Sequence, residues 1–123
     1  MSGNSLLLDT NIILYYLSGD EKLTPLIEDN KLFISIITEI ELMGFSGFEK
    51  KDLGKVQKFL NFCSVYGISE SVKNKAIQLR RSIKLKLPDA IILATGLVLD
   101  VPFMTADKDF KQVESGHIIL YEK

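Results

Sequence analysis

Short apolar runs that alternate with helical segments restrict the fold of this chain more than any other feature. The runs at 6–9, 32–35 and 102–105 are short and almost wholly apolar, as expected of strands that are covered on both faces. Weaker patterns predict two further strands, at 64–68 and 118–121. Because helical segments separate the strands, the sequence predicts a mainly parallel α/β sheet with helices on both faces.

Helical spacing of apolar residues predicts the elements between these strands. Thr24 is predicted to cap one helix, with Pro25 in its first turn. Another helix is capped by Ser69 or Ser71, and the segment 89–99 is apolar nearly all round, so it should be buried. The predicted helices span 11–18, 24–30, 37–45, 52–62, from the Ser69 or Ser71 cap to 84, and 89–99.

Size and composition place the chain among ordinary globular proteins. The 123 residues, 46% hydrophobic and 25% charged, are predicted to form a single domain over residues 1–123. No apolar run approaches the roughly 20 residues that a membrane span needs. The N-terminus has no basic segment leading into an apolar one, so we expect a cytoplasmic location and no membrane association.

The single cysteine and the single histidine exclude several kinds of site. Cys63 lies among core-like residues, which favours a small buried hydrophobic side chain over a nucleophile. His117 precedes an apolar run and is predicted to lie at the edge of a strand. One residue of each type cannot build the usual zinc site, and His117 is the only candidate base for a serine or cysteine triad.

Two acidic side chains follow predicted strands directly. Asp9 ends the run Leu-Leu-Leu, and Asp107 ends the run Pro-Phe-Met-Thr-Ala. Ligands of open parallel sheets bind beyond the carboxyl ends of the strands, where these two residues lie. Asp9 has the alternative role of a helix N-cap, although Thr10 and Asn11 add further polar groups at that junction. Asp109 competes with Asp107 and ranks second.

Two more acidic residues lie on helices with strongly apolar surroundings. Asp89 opens the helix at 89–99, where it could interact favourably with the helix dipole. Alternatively, because the rest of this helix is apolar, it could bind a metal or accept several hydrogen bonds. Glu39 and Glu41 are about 200° apart around a helix axis and cannot face the same way. Glu41 shares a face with Ile37 and Gly44, so Glu41 is predicted to enter the pocket and Glu39 to lie at its rim or in solvent.

If Asp9, Glu41, Asp89 and Asp107 converge, their mutual repulsion requires a cation or protonation. Oxygen ligands select Mg²⁺ or Mn²⁺, which lower the pKa of bound water and neutralise a phosphodiester. The arrangement therefore favours a metal-dependent nuclease. Four basic residues could hold the phosphates of a nucleic acid backbone or could simply be solvated; they are Arg80, Arg81, Lys84 and Lys86.

Four segments resemble PIN-domain ribonucleases, specifically VapC-type toxins of bacterial and archaeal toxin–antitoxin pairs. Leu-Leu-Leu-Asp-Thr-Asn at 6–11 resembles the opening motif, and Ile-Ser-Ile-Ile-Thr-Glu-Ile-Glu-Leu-Met-Gly at 34–44 the second. Leu-Pro-Asp-Ala-Ile-Ile-Leu-Ala-Thr at 87–95 and Phe-Met-Thr-Ala-Asp-Lys-Asp-Phe at 103–110 resemble the third and fourth. The resemblance assigns the family's acids to Asp9, Glu41, Asp89 and Asp107.

The resemblance implies a PIN-like three-layer α/β/α sandwich with a sheet of four to five strands. It also implies Mg²⁺ or Mn²⁺, an RNA substrate, a homodimer and inhibition by a small cognate antitoxin. Asn11 and Thr105 are similar to supporting polar residues of the family, and Thr10 and Asp109 lie beside the acids. The alternatives are an RNA-processing PIN nuclease that is not a toxin, a receiver-like domain, or a non-catalytic binding module.

Overall fold

Five parallel strands form the centre of the molecule in a computed structural model that describes residues 4–113 and 117–123. In sequence they are β1 (Ser5–Leu8), β2 (Lys31–Ser35), β3 (Cys63–Tyr66), β4 (Phe103–Thr105) and β5 (Ile118–Leu120). Their order in the sheet is β3-β2-β1-β4-β5, and every neighbouring pair is parallel. The predicted parallel α/β fold is therefore confirmed.

Six α-helices and one 3₁₀ helix connect the strands within the described residues. They are α1 (Thr10–Leu17), α2 (Thr24–Glu28), α3 (Ile36–Met43), α4 (Lys50–Leu60), α5 (Glu70–Ser82), α6 (Leu87–Leu99) and the 3₁₀ helix (Lys108–Gln112). The structure selects Ser69 as the cap of α5, because its hydroxyl accepts a hydrogen bond from the Val72 amide at 3.2 Å. The 3₁₀ helix was not predicted, since its segment is too short to show a helical period.

The predicted cap of α2 is wrong. Leu23, which is already in a helical conformation, holds the N-cap position, and no side chain caps this helix. The amide of Leu23 bonds to the Asp20 carbonyl at 3.2 Å, so a turn runs directly into the helix. The Thr24 hydroxyl instead donates to the same Asp20 carbonyl at 3.3 Å. Pro25 does lie in the first turn, as predicted.

The apolar run of β1 is buried on both faces of the sheet. Leu6 and Leu8 belong to one core cluster, with residues of α1, α2 and α4, and Leu7 belongs to a second, with residues of α5 and α6. Successive side chains of a strand point to opposite faces, so a strand between two helical layers must be apolar throughout. The sheet thus separates two helical layers, and the predicted three-layer sandwich is confirmed.

The central position of β1 determines where the polar groups meet. It pairs with β2 on one side and with β4 on the other, and the amide of Asp9 bonds to the Met104 carbonyl at 3.0 Å. Because all strands run the same way, the residues that follow β1 and β4 emerge at the same edge of the sheet. That edge carries the candidate site.

Cys63 lies next to the core, and His117 lies next to another side chain. Cys63 is partly buried against the core on the α1 side, and burial raises the pKa of its thiol to about 11, which leaves it protonated and unreactive near neutral pH. His117 directly precedes β5, and its ring lies 2.7 Å from a carboxylate oxygen of Asp100.

No helix of the described residues is long and apolar enough to cross a membrane.

Candidate active site

Asp9 is a buried carboxylate at the carboxyl end of β1. Only 6% of the residue is exposed. One oxygen accepts from the Thr10 amide at 2.8 Å, and the other accepts from the Thr105 hydroxyl at 2.6 Å. Burial raises the pKa of Asp9, the two hydrogen bonds oppose that rise, and the charges of Glu41 and Asp107 add to it. Asp9 is also the N-cap of α1, so capping and membership of an acidic cluster coexist.

Asp89 lies in the first turn of α6 and is half-buried. Burial is the main reason that its pKa rises from 3.8 to about 6. The charges of Asp9, Asp107 and Glu41 raise it further, and the Lys86 ammonium opposes them. The structure therefore brings the four acids close enough for their charges to interact, although they come from four separate segments of the chain.

Glu41 reaches the cluster from the exposed side of α3. The Thr10 hydroxyl donates to its carboxylate at 2.6 Å, which joins the start of α1 to α3. Glu41 is one of the charges that raise the pKa values of Asp9 and Asp89, whereas Glu39 is not among the charges of the described residues that do so. These two glutamates therefore have different electrostatic surroundings, and the assignment of Glu41 to the site stays a prediction.

Asp107 is placed by the buried end of β4. Its amide donates to the Thr105 hydroxyl at 3.0 Å, and its carboxylate accepts from the Asp109 amide at 2.9 Å, which caps the 3₁₀ helix. The charge of Asp107 is among the main causes that raise the pKa values of Asp9 and Asp89, and the charge of Asp109 is not among these main causes. Asp109 lies farther out, on a cavity wall that Asp89 also lines. Geometry thus favours Asp107 over Asp109 as the fourth acid.

This set of acids on a parallel sheet is accompanied by a family match over most of the chain. A sequence profile described as PIN domain matches residues 6–116. The chain belongs to the PIN-domain family. The predicted family is therefore confirmed, and a receiver-like domain is excluded. A search of the curated proteins returns no significant match.

Three of the solved structures that are similar to this chain are a toxin–antitoxin complex and two VapBC complexes. A chain of a toxin–antitoxin complex from Klebsiella pneumoniae is 30% identical, with a TM-score of 0.83 over 96% of this chain and 99% of that one. VapBC2 from Rickettsia felis is 22% identical, with a TM-score of 0.76 over 95% and 97%. VapBC from Salmonella typhimurium is 19% identical, with a TM-score of 0.83 over 94% and 97%. The last two similarities concern the fold alone.

The acids of this PIN domain fit a hard divalent cation by their chemistry. They are oxygen donors, and burial together with their mutual repulsion raises the pKa of Asp89 to about 6, a penalty that a bound cation would relieve. No group of three or more acid, histidine or cysteine side chains among the described residues stands close enough to hold an ion unaided. Mg²⁺ keeps several waters and needs only one or two carboxylates, so the open arrangement is compatible with it.

Two polar atoms near the acids have no hydrogen-bond partner in the part of the chain that the structure describes. They are the buried Oδ1 of Asn11, two residues after Asp9, and the buried Oγ1 of Thr38, one helical turn before Glu41. An unsatisfied buried oxygen is costly and needs a water, an ion or a ligand. The sequence did not single out Thr38, which lies between Ile37 and Glu39 on α3.

The four basic candidates separate in the structure. Lys84 and Lys86 line a cavity beside Asp89, and Arg80 lines it too. Arg81 lies outside that cavity and lines a second one, together with Arg80. The apolar residues of this second cavity include Ile77, Leu87 and Ile91. Gln112 completes the wall beside Asp89. Nothing in its local sequence distinguished Gln112, because its position depends on the unpredicted 3₁₀ helix.

Proposed function

We propose that this PIN domain is a divalent-metal-dependent endoribonuclease that hydrolyses RNA phosphodiester bonds and is the toxin of a toxin–antitoxin pair. PIN domains are a family of nucleases that are generally metal-dependent. The observation that carries the proposal is the meeting of four acids at one edge of the sheet, where burial, and then the charges of the other three acids, raise the pKa of Asp89 to about 6. Repulsion of that kind is costly unless the site serves to bind a cation.

Asp9, Asp89 and Asp107 would hold Mg²⁺ or Mn²⁺, and Glu41 would act as a ligand or would position the attacking water. When bound, the ion supplies a water of lowered pKa and neutralises charge that develops on the phosphate. Thr105 fixes one oxygen of Asp9, and Thr10 fixes one oxygen of Glu41. These hydroxyls hold the acids in position before the substrate arrives, which is the condition for electrostatic stabilisation of the transition state.

Asn11 and Asp109 support the site in this proposal without being assigned a ligand role. The unpartnered buried Oδ1 of Asn11 is an acceptor that a water of the site could satisfy. Asp109 donates its backbone amide to the Asp107 carboxylate at 2.9 Å and so limits the rotation of that side chain. The histidine of the chain is not needed as a base, and its ring lies beside Asp100.

A cognate antitoxin and a second copy of the chain are the proposed protein partners, and the cytoplasm is the proposed site of action. The 30% identical relative comes from a toxin–antitoxin complex and covers nearly the whole chain. A homodimer is supported by large apolar side chains that are exposed on the α5–α6 side. They are Ile68, Ile77, Leu87 and Val98. Apolar patches of this kind mark protein contacts more often than isolated exposed residues do.

The proposal is tested by cleavage of RNA by the purified protein. We expect cleavage with Mn²⁺, none with EDTA, and a loss of about 100-fold or more for Asp9→Asn, because the variant removes a charge without changing the shape of the side chain. Glu39→Gln is the matched control, as Glu39 lies on the same helix as Glu41 but outside the acidic cluster. Undiminished cleavage by Asp9→Asn would identify a contaminating nuclease and refute the proposal.

A further experiment separates the toxin from an RNA-processing PIN nuclease. Expression of the wild-type chain should arrest growth, and the arrest should disappear with Asp9→Asn. A small protein encoded beside the gene should co-purify with the chain and should suppress RNA cleavage. Cleavage in vitro without growth arrest or a co-purifying inhibitor would support the processing enzyme instead.

A further inference from the structure

A cavity of about 520 Å³ lies between the end of α5, the loop to α6 and the 3₁₀ helix. It shares Asp89 with the acidic cluster, so it adjoins the proposed catalytic centre. Its lining residues are Arg80, Lys84, Leu85, Lys86, Asp89, Asp109 and Gln112. Three cations and two carboxylates therefore line one cavity, in a chain whose net charge is only −1.

Hydrogen bonds between separate elements hold the wall of this cavity in place. The Arg80 guanidinium donates to the Leu85 carbonyl at 2.9 Å, which ties α5 to the loop. The Gln112 amide donates to the Lys84 carbonyl at 3.0 Å and to the Asp109 carbonyl at 2.9 Å, which ties the loop to the 3₁₀ helix. Leu85, 6% exposed, anchors the loop in the core. The cavity is thus preformed, which reduces the entropy lost on binding.

The cations on this wall are available to an anion. Among residues 4–113 and 117–123, neither Arg80 nor Lys84 nor Lys86 forms an ion pair within 4.0 Å, even though two carboxylates line the same cavity. The loop that carries the two lysines is fixed by Gln112 and Leu85, so their backbones cannot move apart freely. An anion placed between these side chains would be attracted by all three of them.

We propose that this cavity binds the sugar-phosphate of the RNA nucleotide next to the cleaved bond. The inference rests on the proposed function and deepens it. The volume lies in the range of small-ligand sites, and lysine and arginine are the usual partners of nucleic acid phosphates. The cavity positions the strand so that the neighbouring phosphodiester meets Asp89 and the other acids. Efficient cleavage therefore requires RNA that extends at least one nucleotide past the bond, into this cavity.

The first test is RNA binding by the Lys84→Ala/Lys86→Ala double variant. Fluorescence anisotropy of a labelled single-stranded RNA is measured in EDTA, where no cleavage occurs, over a series of KCl concentrations. Loss of the contact to one RNA phosphate should make the dependence of log affinity on log salt less steep by about 0.7. The affinity should fall by about tenfold at moderate salt. Both lysines are exposed, so the melting temperature should not change.

Two further variants control for charge and for folding. Lys111→Ala removes one exposed cation from the 3₁₀ helix, next to Gln112 but outside the cavity, and should leave the salt slope almost unchanged. Lys84→Arg/Lys86→Arg keeps both charges and should retain the wild-type slope. In cleavage assays the double alanine variant should raise KM by a larger factor than it lowers kcat, because these contacts hold the strand already in the ground state.

The inference is overturned if the double alanine variant binds RNA with the wild-type slope. It is also overturned if Lys111→Ala loses at least half as much slope as the double variant, since general attraction would then explain the binding. Unchanged RNA affinity combined with weaker binding of an acidic peptide would assign the cavity to a protein partner. Failure of the wild type to cleave any RNA with Mn²⁺ would instead refute the proposed function, whatever the binding results show.

Discussion

Substitution of Asp89 by asparagine should stabilise the metal-free protein near neutral pH. The rise of the Asp89 pKa from 3.8 to about 6 corresponds to an upper bound of about 3 kcal/mol of destabilisation. Asp89 is only half-buried, so solvent screening reduces this to about 1–2 kcal/mol. Loss of a negative charge in the first turn of α6 costs about 0.5 kcal/mol. The net gain is about 1 kcal/mol, which raises the melting temperature by about 4 °C.

The pH dependence of this gain has a definite sign. Because folding raises the pKa of Asp89, the folded chain holds the proton more tightly than the unfolded chain does. Stability contributed by this group therefore falls as pH rises from 3.8 to about 6, and the full penalty is present above that window. The asparagine variant should exceed the wild type near neutral pH, and the difference should vanish at about pH 4, where Asp89 is protonated in the folded chain.

Thermal and urea unfolding in EDTA at the two pH values measure this difference. Asp109→Asn is the matched control, because Asp109 lines a cavity with Asp89 but is not among the described charges that raise its pKa. Added Mn²⁺ should stabilise the wild type by mass action and the Asp89→Asn variant much less. The reasoning would be refuted if Asp89→Asn were less stable than the wild type near neutral pH, or if its gain in unfolding free energy were the same at both pH values. Either result would mean that burial and the neighbouring charges do not destabilise the Asp89 carboxylate.

Three other variants test the framework of the site and the partner surface. Thr105→Val removes the 2.6 Å hydrogen bond to buried Asp9, so urea unfolding near neutral pH should show a loss of about 1–3 kcal/mol. The loss should be smaller in acid, because the pKa of Asp9 rises further once this hydrogen bond is gone. Thr10→Val frees exposed Glu41, so it should slow RNA cleavage while the melting temperature changes little; equal cleavage rates would contradict a positioning role. Ile77→Asp, at a residue 51% exposed, should convert a dimer to a monomer in light scattering without unfolding it, and a persistent dimer would place the interface elsewhere.

The strand and helix pattern could be predicted because it is local. The Leu-Leu-Leu run of β1 reflects burial on two faces, and Leu6 and Leu7 indeed lie in different core clusters. The start of α2 could not be predicted in this way, since Thr24 is a residue type that often caps helices but Leu23 holds the N-cap position. A cap depends on backbone angles that neighbouring turns impose, and residue type alone does not fix them.

By itself, the sequence determined the kinds of element, their order and the acids that could lie at strand ends. Helical geometry within α3 also predicted that Glu41 and Glu39 face different ways. Only the tertiary structure placed β1 beside β4, so that the Thr105 hydroxyl meets Asp9 across 96 positions of sequence. It also favoured Asp107 over Asp109 and gathered the cations beside Asp89. The physical reason is that periodicity records which faces are buried, whereas distant polar contacts depend on how the buried faces pack together.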